Sequence, residues 1–184
     1  MNDNFIFQDS IADLSVCDQL IDFHKTNPQL QGRGMTSGGV NKNKKDSTDI
    51  SFFQINPLLK EYLDQLRTVS NKFMIKYPHA KPMGAYGIFE GVSIQHYGLG
   101  GGYHQLHCER DRGDPPYSKR FLAFMTYLND VTDGGHTEFV HQNLLVQPKK
   151  GLTLLWPVDW THTHRGITSM TQEKYIITGW MSYF

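Results

Sequence analysis

The stretch RFLAFMTYLNDVTDGGHTEFVHQNLLVQPKKGLTLLWP, residues 120–157, sets the fold class. It contains four short apolar runs, Phe121–Asn129, Thr137–Phe139, Leu144–Pro148 and Thr153–Trp156. Turn signals separate them, among them Asp133-Gly134-Gly135 and Lys149-Lys150-Gly151. Runs of this length bounded by such clusters read as strands. The pattern continues on both sides. Upstream lie a strand over Gly87–Tyr97 and the turn Gly98–Gly102, and downstream the turn Arg165-Gly166 and a strand over Lys174–Tyr183.

Further upstream the period changes. Leu59, Tyr62, Leu63, Leu66, Val69 and Phe73 recur at steps of three and four, which predicts a helix from about Pro57 to Lys76. Cys17, Leu20, Ile21 and Phe23 predict a shorter helix, with Ser15 or Asp13 as its cap. The segment Tyr77–Pro82 carries two prolines four apart and predicts a helix stop and turn. Residues 28–50, with Gly32, Gly34, Gly38, Gly39 and the polar run Asn41–Asp49, predict a mobile surface loop or a lid. The expected fold class is α+β, mostly β: a double-stranded β-helix (jelly roll) with N-terminal helices packed outside one sheet. One domain is expected over 1–184, helical to about residue 84 and β from about residue 85.

Lys+Arg and Asp+Glu both total 18, so net charge gives no reason to expect nucleic acid or a membrane surface as partner. Two cysteines, Cys17 and Cys108, make no disulfide framework. The first residues, MNDNFIFQDSIADLS, lack a basic region followed by an apolar run, and no apolar stretch of about 18 residues exists. A soluble, cytoplasmic protein is expected.

Seven of the nine histidines fall between His96 and His164. In an extended segment residues i and i+2 share a face, so His107 and Glu109 can hold one cation together while Cys108 points away. A second histidine from a distant strand would complete a two-His-one-carboxylate set, which leaves open positions and suits Fe(II). By itself an H-x-E triplet is common among ordinary polar residues. His162 and His164 are both candidates for the third ligand, and strand parity alone does not choose between them. Lys174 stands in an otherwise apolar strand. Pointing inward it needs a counter-anion; the plainer alternative is that it starts the strand at the solvent edge.

Several elements in register make residues 91–180 resemble the prolyl 4-hydroxylase-like branch of the Fe(II)/2-oxoglutarate dioxygenases. They are Tyr97-x-x-Gly100-x-x-Tyr103, then His107-Cys-Glu109, Arg120 with Tyr127-Leu128-Asn129, Gly134-Gly135-His136-Thr137-Glu138-Phe139, and Pro148–Gly151. His164 stands ten residues before Lys174, the spacing the family places between its distal histidine and its 2-oxoglutarate lysine, and Trp180 follows six residues later. The chain departs in two places. The family commonly has His-x-Asp where this chain has Glu109, and three residues rather than two separate Tyr103 from His107.

The resemblance implies His107, Glu109 and His164 as metal ligands, with Lys174, Tyr97 and Thr178 as the 2-oxoglutarate site. Arg120, Tyr103 and Trp180 would face the substrate or line the pocket. It implies Fe(II), 2-oxoglutarate and O2 as cofactors and admits ascorbate as a further one. The reaction implied is hydroxylation of prolyl residues in a peptide or protein, coupled to decarboxylation of 2-oxoglutarate to succinate and CO2. The same chemistry on a free amino acid, a small metabolite or a non-proline protein residue stays open. So does a non-enzymatic cupin-like metal-binding module, since fold does not imply function. Against the module stands Lys174, for which a metal-binding protein has no need.

Overall fold

A computed structural model describes residues 3–81 and 84–184. Among the described residues fifteen strands and two α-helices follow one another. The first half holds β1 (Phe7–Ser10), α1 (Ser15–Thr26), β2 (Gly32–Arg33), β3 (Met35–Thr36), β4 (Gly39–Val40), β5 (Lys45–Asp46), β6 (Thr48–Phe52) and α2 (Pro57–Lys76). The second half holds β7 (Tyr86–Gly87), β8 (Val92–Tyr97), β9 (Gly102–Tyr103), β10 (Arg120–Tyr127), β11 (Thr137–Phe139), β12 (Leu144–Val146), β13 (Leu152–Pro157), β14 (His164–Gly166) and β15 (Lys174–Tyr183). The larger sheet runs β1-β13-β10-β15-β8-β6-β2, with β7 also on β15, and a smaller one runs β12-β11-β14.

The central strands of the larger sheet are apolar on both faces, and each face has its own core. Leu122 and Phe124 of β10, Leu155 of β13 and Tyr175, Ile177 and Met181 of β15 pack against α1 and α2. Their neighbours Ala123, Met125, Leu154 and Ile176 pack on the other side against Phe139 of β11 and Val146 of β12. Successive side chains of a strand point to opposite faces, so one run of sequence serves both cores. Full burial of each such large side chain contributes about 1.5–3 kcal/mol. This is the expected jelly roll with helices outside one sheet.

Helix α2 occupies the residues its period predicts. Pro57 opens it without loss of a needed N–H, and the Asn56 side chain accepts from Leu59 N at 2.8 Å. Leu59, Tyr62, Leu66, Val69 and Phe73 form its buried face. Tyr62 is fully buried and its hydroxyl meets Thr126 Oγ1 at 2.9 Å, which in turn meets Thr153 Oγ1 at 2.7 Å. Helix α1 begins at Ser15, whose backbone N–H donates to Asp13 Oδ1 at 2.8 Å.

Three expectations need correction. The division near residue 84 into a helical and a β part does not hold, because β1 pairs with β13 and β6 pairs with β8 inside the larger sheet. Strand β6 buries only Ile50 and Phe52, too few apolar residues to stand out in the sequence, and takes its order from the β8 ladder. Residues 28–50 are not one loop: Pro28–Leu30 form a 3-10 turn, β2 pairs with β6, β3 with β4, and β5 with β9. The turn expected at Arg165-Gly166 is instead part of strand β14, a three-residue strand ordered by its pairing with β11. Of the turn expected over Tyr77–Pro82, residues Pro78–Ala80 form a 3-10 turn and Pro82 lies outside the described residues. Among the described residues no helix is long and apolar enough to cross a membrane.

Candidate metal centre

His107 lies in the extended segment after β9, opposite β14. Its backbone N–H donates to His164 O at 3.0 Å, and His164 N–H donates to His107 O at 2.9 Å. That reciprocal bridge sets the two imidazoles beside each other, with ring centroids 4.3 Å apart. Glu109, two residues on, returns to the same face. Its Oε1 lies 3.2 Å from His164 Nε2 and 3.8 Å from His107 Nε2. One potential ligand atom from each of the three residues lies within 4.8 Å of the others.

The tautomers follow from the backbone. His107 Nδ1 lies 2.9 Å from Gln105 O and His164 Nδ1 lies 2.9 Å from His162 O. In the neutral ring Nδ1–H then donates to the carbonyl, and the Nε2 lone pair is left facing the cluster. Burial drives the His107 imidazole down to about 4, and the neighbouring His164 adds to it, so His107 stays neutral. Burial alone would raise Glu109. The hydrogen bond and positive charge that His164 and His107 offer the carboxylate when protonated, together with the Trp180 N–H, outweigh it and hold Glu109 down to about 2. Two imidazoles and a carboxylate on one face form a donor set that suits Fe(II).

The cluster borders a cavity of about 930 Å³. One face of β15 supplies Lys174, Ile176, Thr178 and Trp180 to it. Lys174 is 5 % exposed, so the solvent-edge alternative is excluded. Its Nζ donates to Gly135 O at 2.9 Å and sits 5.0 Å from the centre of the Tyr97 ring, because Lys174 and Tyr97 are register partners. Burial lowers the ammonium to about 8, and among the described residues no carboxylate lies within ion-pair distance. The acceptor carbonyl is placed by a turn with Gly134 at φ +66 and Gly135 at φ +70. A Cβ on Gly134 would stand 2.3 Å from Thr168 O, so the turn requires glycine there. A buried cation held only by a carbonyl matches an incoming carboxylate in charge and position.

The other expected residues are placed as follows. The Tyr97 hydroxyl donates to Gln95 Oε1 at 2.6 Å, and Thr178 Oγ1 donates to Phe124 O at 2.8 Å. Tyr103 stacks on His107 at 3.8 Å. Trp180 Nε1 donates to Glu109 Oε2 at 2.8 Å. The Arg120 guanidinium is not free in the cavity: Nε donates to Glu90 Oε1 at 2.9 Å and Nη1 to Glu109 O at 2.7 Å. His162 faces away, with Nε2 3.1 Å from Asn4 O, and takes no part in the cluster.

Sequence reasoning missed Gln95, Lys45, Asp49 and Glu90, all of which line the cavity. Gln95 carried a usable signal, since it shares a strand face with Tyr97. Lys45 and Asp49 carried none, standing in a polar run that reads as surface.

Residues 92–182 match the family model of the 2OG-Fe(II) oxygenase superfamily. Probable prolyl 4-hydroxylase 9 of Arabidopsis thaliana is 25% identical over 203 aligned positions, covering 96% of this chain and 67% of the plant protein. Human prolyl 4-hydroxylase subunit alpha-1 is 26% identical over 106 residues, half of this chain. The chain spans about a fifth (20%) of the length of that relative. In structure, a viral collagen prolyl hydroxylase from Paramecium Bursaria Chlorella virus-1 superposes with a TM-score of 0.74 at 21% identity, covering 98% of this chain and 97% of the viral one. A prolyl hydroxylase from Trichoplax adhaerens, solved with a hypoxia inducible factor peptide fragment, gives 0.74 at 16% identity, covering 98% and 84%. These two likenesses support the fold.

Proposed function

Because the chain belongs to the 2OG-Fe(II) oxygenase superfamily, we propose that it hydroxylates a prolyl residue held in an extended peptide. The family works with Fe(II), 2-oxoglutarate and O2. The observation that carries the reading is one cavity bordered both by the His107–Glu109–His164 cluster and by the buried Lys174 ammonium.

In this reading His107, Glu109 and His164 hold the iron through two Nε2 atoms and a carboxylate oxygen, their rings fixed by the carbonyls of Gln105 and His162. Lys174, with the Tyr97 hydroxyl beside it, binds the far carboxylate of 2-oxoglutarate, and Thr178 lines the same site. The iron and its co-substrates supply the oxidation: one oxygen atom of O2 enters a substrate C–H bond, the other enters succinate, and CO2 leaves. The protein's part is to orient these groups and to keep the site dry through the aromatic surfaces of Tyr103, Trp156 and Trp180.

A peptide substrate is supported by the rim of the cavity, where Met35 and Val40 on the β3–β4 pair, Phe53 and Phe89 are exposed apolar side chains. An extended proline-rich segment is pre-ordered and meets such a surface at low entropy cost. The names of the relatives point the same way. A cytoplasmic setting is proposed with it, consistent with two unpaired cysteines, Cys17 and Cys108.

Two experiments test the reading. Anaerobic titration with Fe(II) should show one site, weakened in His164→Ala by more than the roughly 100-fold upper range of outer-sphere partners, and unchanged in His162→Ala. An effect in the second variant alone overturns the ligand assignment. Succinate release on adding O2 should rise above the uncoupled rate with proline-containing peptides. If only a free amino acid raises it, the prolyl assignment is wrong and the oxygenase chemistry stands.

A further inference from the structure

Glu109 is one methylene longer than the aspartate that the resemblance leads one to expect, and the structure shows where the extra length goes. Its two carboxylate oxygens have different partners. Oε1 faces the imidazoles, 3.2 Å from His164 Nε2, whereas Oε2 accepts from Trp180 Nε1 at 2.8 Å. The indole is itself clamped. The Arg120 guanidinium lies 3.6 Å from its ring centre, is tied to Glu90 by Nε at 2.9 Å, and donates through Nη1 to the backbone carbonyl of Glu109 at 2.7 Å. Arg120 is buried, as is most of the Glu90 side chain. Arg120 thus fixes both ends of Glu109: the main chain directly, and the carboxylate through Trp180.

We propose that Trp180, braced by Arg120, is a positioning residue that keeps Oε2 of Glu109 occupied, so that the glutamate offers a metal one oxygen and not two. The inference rests on the metal reading above. A carboxylate binds a cation through one or both oxygens, and a glutamate has the freedom to swing between the two modes. Six positions around the ion must accommodate two imidazoles, the carboxylate, the two oxygens of a chelating 2-oxo acid and one more co-substrate. A second glutamate oxygen would displace one of the last three. An indole N–H is a donor only, cannot ligate a metal, and cannot be lost by titration, so it is suited to holding an oxygen out of competition. The arrangement also gives Arg120 and Trp180 a role in placing Glu109 where the sequence suggested substrate contact.

The test uses Trp180→Phe, which keeps an aromatic ring under Arg120 and removes the donor, and Glu109→Asp, whose shorter side chain draws the carboxylate back from the indole. Co(II) serves as the probe metal, since its visible absorption reports coordination. In Trp180→Phe the Co(II) spectrum should change and the Kd of Co(II)-loaded protein for 2-oxoglutarate should rise about tenfold, the low end for outer-sphere partners. In Glu109→Asp, adding Trp180→Phe should change neither. Equal effects of Trp180→Phe in both backgrounds, or no spectral change in the first, overturn the proposal. A second measurement needs no variant at position 180. In protein with 15N-labelled tryptophan, the Trp180 indole proton should stay slow to exchange when Zn(II) is bound. Fast exchange on Zn(II) loading means that Oε2 has moved to the metal and overturns the proposal. If the wild type binds neither Co(II) nor Zn(II) at all, it is the metal reading that fails.

Discussion

Two regions beside one cavity each bury a lysine, and they treat it differently. In the β5–β6 region Lys45, 4 % exposed, donates to Asp49 Oδ2 at 2.7 Å and approaches the Tyr103 ring. At the start of β15, Lys174 is equally buried, has a similar aromatic neighbour in Tyr97, and has only a carbonyl as acceptor. Burying an ammonium costs several kcal/mol unless an anion accompanies it. The first lysine brings its anion four residues along the chain and is a structural pair. Among the described residues the second has no carboxylate within ion-pair distance, so its burial is repaid only by something that binds. Burial and aromatic contact do not distinguish the two; the partner does.

The sharpest way to break this comparison is to remove each ammonium. Lys174→Ala should raise the Kd for 2-oxoglutarate between roughly 30-fold and a few thousand-fold, from about 2–5 kcal/mol for one partner of a desolvated pair. Lys45→Ala should leave that Kd within about threefold and instead lower stability, by up to about 3 kcal/mol, because the partly buried Asp49 loses its cation. Isothermal titration of metal-loaded protein and urea unfolding read the two effects. If Lys45→Ala takes the larger loss in 2-oxoglutarate affinity, the roles are reversed.

A smaller effect concerns pH. Lys174 titrates near 8 in the ligand-free fold against 10.5 unperturbed. Between those values the unfolded chain binds the proton and the native protein does not, so stability rises with pH across this window. Below about 8 both states are charged and the full burial cost, roughly 3 kcal/mol, is present. Lys174→Met should therefore exceed the wild type in stability at pH 7, with a gap that closes by about pH 10.5. Over the same range the wild-type affinity for 2-oxoglutarate should fall about tenfold per pH unit above 8. A gap independent of pH would show that burial does not lower the Lys174 ammonium.

These contrasts mark how far the sequence could be read. Helix α2, the long strands and the His107–Glu109 pair were legible from periodicity and strand parity, which are local signals, and His164 was separated from His162 by the spacing to Lys174 that the family resemblance supplies. The Lys45–Asp49 pair was not, since only the pairing of β5 with β9 and of β6 with β8 turns a polar run inward. The same holds for the Trp180–Glu109 hydrogen bond, whose partners stand 71 residues apart. The family resemblance named both residues, and only tertiary geometry joined them.

The smallest expected effect is at Thr178. Its hydroxyl proton is committed to Phe124 O. Thr178→Val should change the Kd for 2-oxoglutarate less than about threefold while costing around 1 kcal/mol of stability for the lost bond. A tenfold loss of affinity would place this hydroxyl among the groups that hold the co-substrate beside Lys174.

Strand β15 alternates between two obligations, with Lys174, Ile176, Thr178 and Trp180 toward the cavity and Tyr175, Ile177 and Met181 toward the helices. A deletion or insertion of one residue there would send the ammonium and the indole into the helix-covered core and turn apolar side chains into the cavity. The β3–β4 pair carries no such double duty; Met35 and Val40 are exposed. Divergence among descendants of this scaffold is thus confined by geometry: lengths and side chains at the mouth can drift, while the strand behind the cavity admits no change of length.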